Sequence, residues 1–166
     1  MARLGVFLAL AQTELKKLRA AKGDPARRAV AHELSEGRDP TWLCDTDKAW
    51  PYIDRALSGN ILEPREFPPP IELFFKKRLH KAHFYVISLL DLKDLEKVVS
   101  LLALVDDKLF RAMFADEVER LHRQGMTDQY LDLSKIDYAW SWLKRIKEFL
   151  PHALRANRSV VFHACW

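Results

Sequence analysis

The side chains best suited to chemistry lie close together in the stretch WLCDTDKAWPYIDRALSG, residues 42–59. Cys44, Asp45 and Asp47 place one thiol and two carboxylates near one another, a set that can bind a metal ion or support a cysteine nucleophile. A nucleophilic cysteine needs a neighbouring histidine or a lowered pKa, and this stretch contains no histidine. The chemical interpretation therefore depends on groups that only the fold can supply.

The same stretch has the features of a helix start. Proline is tolerated in the first turn of a helix, where N–H groups lack partners, so Pro51 prevents the helix from beginning much before Asp47. Asp47 then lies at or near the N-cap, where a carboxylate accepts hydrogen bonds from free N–H groups. Trp50, Ile53 and Leu57 follow on one apolar face. We favour this interpretation because it explains these residues without any chemistry.

Two histidine-containing segments are weaker candidates for a metal site. In AHELSE, His32 and Glu33 begin the pattern of a zinc-protease helix, but position 36 is Glu where the pattern needs a second histidine. His80 and His83 flank a basic run, and a predicted change from helix to strand separates them. The chain has no CxxC pair, glycine-rich phosphate loop or GxSxG turn. We therefore predict no catalytic residue, no metal site and no cofactor.

The composition is that of one globular domain spanning residues 1–166. Apolar residues make up 49% of the chain and charged residues 30%, and 27 Lys and Arg against 23 Asp and Glu give a mild net charge of +4. Two cysteines, Cys44 and Cys165, indicate reduced thiols in a cytoplasmic protein. The apolar run near the N-terminus is too short for a typical secretory signal, and no run is long enough to span a bilayer.

Apolar spacing predicts the elements that must position these groups. Runs rich in Val, Ile and Phe predict three strands at residues 4–10, 83–89 and 159–165. Helical spacing and capping residues predict helices at 13–23, 24–37, 47–59, 71–80, 92–105, 106–125 and 134–150, with Thr13, Asp24, Asp91 and Asp106 or Asp107 as caps and Pro151 as a kink or end. Four prolines make residues 60–70 an extended loop. The predicted fold is α+β, mainly helical with a small sheet of about three strands.

Exposed aromatic and basic residues indicate a surface that binds a partner. Trp142 points away from the apolar stripe of the last helix, as suits an interface anchor, although packing against the proline-rich loop explains it equally well. Basic residues cluster at Lys16, Lys17, Arg19, Lys22, Arg27 and Arg28, at Lys76, Lys77, Arg78 and Lys81, and at Lys144, Arg145 and Lys147. The candidate partner-binding residues are Trp42, Asp45, Asp47, Lys48, Lys76, Lys77, Arg78 and Trp142.

Several segments carry a resemblance to a known family. DTDKAWPYIDRALSG resembles the pattern D-x-D-K-x-W-x-x-(L/I)-x-x-x-L-(S/T)-G of the YfbM-like family of small bacterial proteins of unknown function. The opening RLGVFLAL, the central LDLKDLEKVVSLLALVDDKLFRAMF and the closing LKRIKEFLPHALRANRSVVFHAC are similar to that family in pattern. PPPIELFFKKRLHK stands where the family usually has a glycine-rich stretch. The resemblance implies an α+β fold and a bacterial cytoplasmic setting, and it brings no established activity.

These observations support three functional hypotheses. The first is a non-catalytic protein-binding domain, of the immunity or antitoxin type that inhibits a bacterial toxin or effector. The alternative is a small enzyme or ligand-binding domain that uses Cys44, Asp45 and Asp47, with His163 brought in by the fold. A nucleic-acid-associated protein is a weaker alternative, because no recognised nucleic-acid motif accompanies the basic clusters.

Overall fold

A five-stranded antiparallel sheet lies at the centre of the computed structural model, which describes residues 4–59, 70–79, 85–125 and 132–165. The strands are β1 (Gly5–Leu10), β2 (Leu43–Asp47), β3 (Lys77–Arg78), β4 (Tyr85–Leu90) and β5 (Ser159–Cys165), in the spatial order β2-β1-β5-β4-β3. The helices are α1 (Gln12–Ala20), α2 (Asp24–Ser35), α3 (Trp50–Ser58), α4 (Leu92–Ala103), α5 (Asp107–Arg123) and α6 (Ile136–Arg155). The α+β class is confirmed, but the sheet has five strands instead of about three.

Helices cover both faces of this sheet. Side chains alternate between the faces along each strand, so Phe7 and Ala9 of β1 join one apolar cluster while Leu8 and Leu10 join another. The first cluster is packed by α3, α4, α5 and α6, and the second by α1 and α2. Because β1, β4 and β5 are covered on both faces, they read in the sequence as nearly continuous apolar runs. The two strands that sequence patterning missed, β2 and β3, are the two edges.

A strand ends at Asp47, where the sequence had predicted the start of a helix. Asp47 is the last residue of β2 and has a positive φ of 46°, and α3 begins at Trp50 with Ala49 as an N-cap that makes no side-chain cap hydrogen bond. Asp47 thus lies near the N-cap, but the prediction that its carboxylate caps the helix was wrong. Pro51 does lie in the first turn of α3, and the apolar face of that helix is buried as predicted.

Side chains within β2 explain why the strand persists up to the turn. The Asp47 N–H donates to the Asp45 side chain at 2.7 Å, which forms a local turn in place of the expected cap. The Thr46 hydroxyl donates to the carbonyl oxygen of Gly5 at 2.7 Å, beside an irregularity in the β1–β2 register. A Cβ at Gly5 would lie 2.6 Å from both the Thr46 hydroxyl oxygen and the Trp50 ring, so only glycine allows this close approach.

The outcome of the remaining helix predictions depends on whether a side-chain cap fixes the end of the helix. The side chains of Asp91 and Asp106 accept hydrogen bonds from N–H groups of α4 and α5, as predicted. Thr13 lies inside α1 and does not cap it. The helix predicted over 71–80 is wrong, because this segment bends at residues 74–76 and forms β3. α6 continues past Pro151 to Arg155. Residues 60–69, His80, His83 and Trp166 lie outside the described residues.

One guanidinium joins the elements at the β2 end of the sheet. The Arg38 side chain, only 7% exposed, donates to the Glu14 carboxylate at 2.9 Å and 3.2 Å. It also donates to the carbonyl oxygens of Ala9, Leu34 and Trp42, which lie at the ends of β1 and α2 and just before β2. Burial raises the pKa of Glu14, but hydrogen bonds from Arg38 and the Ala11 N–H outweigh it and hold that pKa below its usual value.

We expect Arg38→Met to lower the free energy of unfolding by about 3 kcal/mol, because it leaves a partly buried carboxylate and several carbonyl groups without their donor. Urea denaturation at pH 7 measures the loss. The matched control is Arg19→Met on the exposed side of α1, which should change stability by less than about 0.5 kcal/mol. A loss below about 1 kcal/mol for Arg38→Met would show that the guanidinium is dispensable.

Candidate functional site

α6 lies alongside the edge strand β2 and is tied to it at both ends. At the end of β2, the Tyr138 hydroxyl donates to the Asp47 carboxylate at 2.6 Å. Burial, together with this bond, raises the pKa of Tyr138 to about 12, so the phenol stays protonated. Just before β2, the Trp42 ring stacks on His152 at a centroid distance of 4.7 Å, and the Arg158 guanidinium lies 3.9 Å from the centre of the Trp42 ring.

An open cleft of about 530 Å³ lies between these two ties. Its walls are the segment before and within β2 on one side and the β2-facing side of α6 on the other. The cleft is lined by Thr41, Leu43, Cys44, Asp45, Arg145, Glu148, Phe149 and His152. Cys44 and Phe149 are almost fully buried and form an apolar floor, whereas Asp45, Arg145 and Glu148 are exposed at the rim.

Cys44 is not prepared to act as a nucleophile. Burial raises the pKa of its thiol to about 12. The carboxylates of Asp45 and Glu148 add to this rise, and the Arg145 guanidinium opposes it. The cleft does contain a histidine that the local sequence did not reveal, because α6 brings His152 to it. The Nε2 atom of His152 is buried and has no hydrogen-bond partner among the described residues.

His163, which the enzyme hypothesis placed near Cys44, lies on the other face of the sheet. Its Nε2 is 3.1 Å from the Ser35 hydroxyl and its Nδ1 is 3.0 Å from the Tyr85 hydroxyl. The Ser35 hydroxyl donates its proton to the carbonyl oxygen of Ala31 at 2.6 Å, so it accepts from Nε2–H, and Nδ1 accepts from Tyr85. Burial, with a smaller effect of His32, lowers the pKa of His163 to about 4. This neutral imidazole joins α2 to the sheet.

A row of aromatic rings continues from the Tyr138 tie along the surface of α6. The Tyr138 ring packs edge-on against Tyr52 at 6.3 Å and against Trp142 at 6.5 Å. The Arg145 guanidinium lies over the Trp142 ring at 4.4 Å. We call Tyr52, Tyr138, Trp142 and Arg145 the aromatic ladder. Trp142 is therefore partly buried within a packed row, whereas the sequence had left an exposed anchor and packing against the proline-rich loop equally open.

The structure brings together part of the predicted partner-binding set. Trp42, Asp45, Asp47, Lys48 and Trp142 all lie on or beside β2 and the adjoining side of α6. Sequence reasoning missed Tyr138, Glu148 and His152 as parts of this site. Their signal was the spacing of 138, 142, 145, 148 and 152, which places these residues along one side of α6, next to its buried stripe.

The basic triplet predicted for the same surface lies elsewhere. Lys77 and Arg78 form β3, at the opposite edge of the sheet from β2. Lys76 pairs with Glu72 at 2.5 Å, Lys77 contacts two carboxylates at the start of α4, and the Arg78 guanidinium lies 4.8 Å from the centre of the Phe75 ring. The basic residues of α1 and α2 lie on the opposite face of the sheet from those of α6, and Arg27 donates to the carbonyl oxygen of Leu79, next to β3, at 2.9 Å.

The metal candidate on α2 lies away from this cleft, on the other face of the sheet. His32 and Glu36 are 3.1 Å apart on α2, but both side chains are about two-thirds exposed, at 70% and 69%. Within residues 4–59, 70–79, 85–125 and 132–165, no three His, Cys, Asp or Glu side chains are grouped as metal ligands would be. Across the same ranges, no helix combines the length and apolar character needed to cross a bilayer.

The chain matches a known family over almost its whole length. Residues 1–163 match the family model described as Domain of unknown function (DUF1877). The chain belongs to the DUF1877 family. The DUF1877 chain is also similar in structure to YfbM, a protein of unknown function from Escherichia coli, with 15% sequence identity and a TM-score of 0.67 over 97% of this chain and 99% of that chain. This confirms the YfbM-like resemblance and shows a shared fold. No curated protein sequence matches the chain.

We expect native Cys44 to react very slowly with iodoacetamide. Raising a thiol pKa from 9.0 to about 12 lowers the thiolate fraction at pH 8 by about 1,000-fold. The rate is measured by mass spectrometry in the Cys165→Ser background, with the urea-unfolded protein as the reference. A native rate equal to or faster than the unfolded rate would contradict a protonated thiol and would favour the enzyme hypothesis.

We expect His163 to make the protein less stable in mild acid. The unfolded imidazole binds a proton below its usual pKa of 6.5, whereas the folded one stays neutral down to about 4, so the free energy of unfolding falls as the pH drops between these values. The contribution is at most about 3 kcal/mol. The measurement is urea denaturation of the wild type and His163→Gln at pH 7, 6, 5 and 4.5.

The difference between the two proteins is the informative quantity. Burial raises the pKa of Asp54 to about 7, and this carboxyl contributes to stability with the opposite pH dependence in both proteins. The advantage of the wild type over His163→Gln should shrink as the pH falls. Parallel stability curves across this range would mean that His163 titrates in the folded protein as it does in the unfolded chain.

Proposed function

We propose that this chain is a non-catalytic protein-binding domain and that the aromatic ladder, with the adjoining cleft, is its binding surface. The observation that carries the proposal is the row of Tyr52, Tyr138, Trp142 and Arg145 on the outside of α3 and α6. Tyr, Trp and Arg are the residue types that contribute most binding energy at protein interfaces. Because each is held by its neighbour, little side-chain freedom is lost when a partner docks.

The state of the titratable groups supports binding over catalysis. Catalytic groups usually have a pKa tuned toward neutral pH and share one site. Here burial moves the pKa of Cys44 to about 12 and that of His163 to about 4, and the two residues lie on opposite faces of the sheet. Both shifts favour neutral side chains that stabilise the fold.

Within this class, we assign the chain to the immunity or antitoxin type, acting on a bacterial toxin or effector in the cytoplasm. The chain has 166 residues, and its reduced-thiol composition suits that compartment. Nucleic acid is the less favoured candidate partner, because several basic side chains of this protein are paired with carboxylates, as in Lys17–Glu33 and Lys76–Glu72. Paired cations attract phosphate less strongly than an unopposed patch does.

The test compares two charge reversals on exposed positions. Arg145→Glu places a carboxylate at the end of the aromatic ladder, whereas Lys93→Glu makes the same change on α4, away from it. Each protein is immobilised, incubated with lysate of the native host, and the retained proteins are quantified by mass spectrometry. The partner is then purified, and its affinity for each variant is measured by calorimetry.

We expect one stoichiometric protein to be retained by the wild type and by Lys93→Glu. Arg145→Glu should weaken its binding by at least about tenfold, which corresponds to about 1.4 kcal/mol, with a thermal midpoint close to that of the wild type. The toxin-inhibitor assignment further requires that the purified chain abolish the partner's toxicity on co-expression. Recovery of RNA or DNA, or a partner that binds Arg145→Glu equally well, would overturn the proposal.

A further inference from the structure

The free edge of β2 opens into the cleft. In the sheet formed by the described residues, β2 pairs with β1 on one side only, and no other described strand adjoins its second side. Along such a strand, alternate N–H and C=O groups point outward and can pair with another chain. α6 forms the opposite wall, so an added strand would lie between a strand and a helix, a common setting for peptides that extend a sheet.

The charges of the two walls indicate which peptide would suit this position. Asp45 on β2 and Glu148 on α6 are exposed, and neither forms an ion pair with a described residue. Both carboxylates line the cleft together with Cys44. Arg145 also lines the cleft, and its guanidinium lies over the Trp142 ring. The lining therefore carries two carboxylates against one guanidinium, which favours a positive group on the bound segment.

We propose that the cleft binds an extended, basic segment of a protein partner, which adds a strand to β2 and places a Lys or Arg side chain between Asp45 and Glu148. Because side chains alternate along a strand, neighbouring Cys44 and Asp45 face opposite sides of β2, so the residue next to the Lys or Arg lies over Cys44 and Phe149. That residue should be apolar. The inference rests on the proposed protein-binding function and adds the chemistry of the bound segment.

A second copy of this chain suits the edge less well. Two β2 strands of sequence LCDTD, paired antiparallel, would bring Asp45 and Asp47 of one copy close to the same residues of the other. Like charges opposite one another destabilise a strand pair. A basic segment from a different chain avoids this repulsion and neutralises the two open carboxylates.

The first test selects peptides without assuming a partner. A phage library of random linear peptides of about a dozen residues is selected on the immobilised full chain, and enriched sequences are synthesised. We expect Lys or Arg alternating with apolar residues, and binding weakened at least about tenfold in Asp45→Asn/Glu148→Gln. The matched control, Glu96→Gln on the exposed side of α4, should bind as the wild type does. The bound peptide should also slow alkylation of Cys44.

The second test asks whether the peptide backbone pairs with β2. Methylating one peptide nitrogen at a time removes a single donor, and in an added strand only alternate nitrogens point toward β2. We therefore expect binding to be lost at every second position and kept between them. Loss at all positions or at none, enrichment of acidic peptides, equal binding to Asp45→Asn/Glu148→Gln, or no enrichment at all would overturn the inference.

These outcomes are separable from those of the broader proposal. A host protein that is lost with Arg145→Glu but is unaffected by Asp45→Asn/Glu148→Gln would leave the aromatic ladder as the binding surface and refute strand addition. A host protein that is insensitive to Arg145→Glu would refute the proposed function, whatever the peptides show.

Discussion

The buried guanidinium of Arg38 is the constraint on which the β2 side of the molecule depends. Its donors hold the Glu14 carboxylate and carbonyl groups from three different segments, so α1, α2 and the turn before β2 cannot move independently. A buried Arg–Glu pair gains little over apolar packing in free energy, but its directional bonds select one arrangement of these segments. That arrangement fixes the position of Trp42. Arg38 donates a hydrogen bond to its carbonyl oxygen, and its ring stacks on His152.

The candidate site is a consequence of how a long helix meets an edge strand. α6 buries one stripe in the core, and the residues beside that stripe approach β2 without packing fully against it. Contacts at both ends, Tyr138 with Asp47 and Trp42 with His152, keep the helix and strand apart in the middle. The space between the helix and the strand is open because neither of these two contacts extends into it. The same geometry holds the aromatic ladder outward on a rigid support, as interface anchors require.

Periodic patterns predicted the parts of the fold in which one apolar stripe dominates, such as α4 with its Asp91 cap and the doubly covered strands β1 and β5. β2 could not be predicted, because LCDTD carries two carboxylates and its strand state depends on pairing with β1, which is distant in sequence. Only part of the candidate site could be predicted, for the same reason. Local sequence showed Cys44 and Asp45, while Arg145 and Glu148 reach them only through tertiary packing.

The strand order has a consequence for synthesis on the ribosome. Among the described strands β5 comes after the other four in sequence, yet it lies between β1 and β4 and pairs with both of them. Until it emerges, β1 and β4 each lack a central neighbour and present apolar surface on both faces. The core on both faces therefore cannot be completed before β5 has emerged, so folding waits for this late, long-range strand pairing.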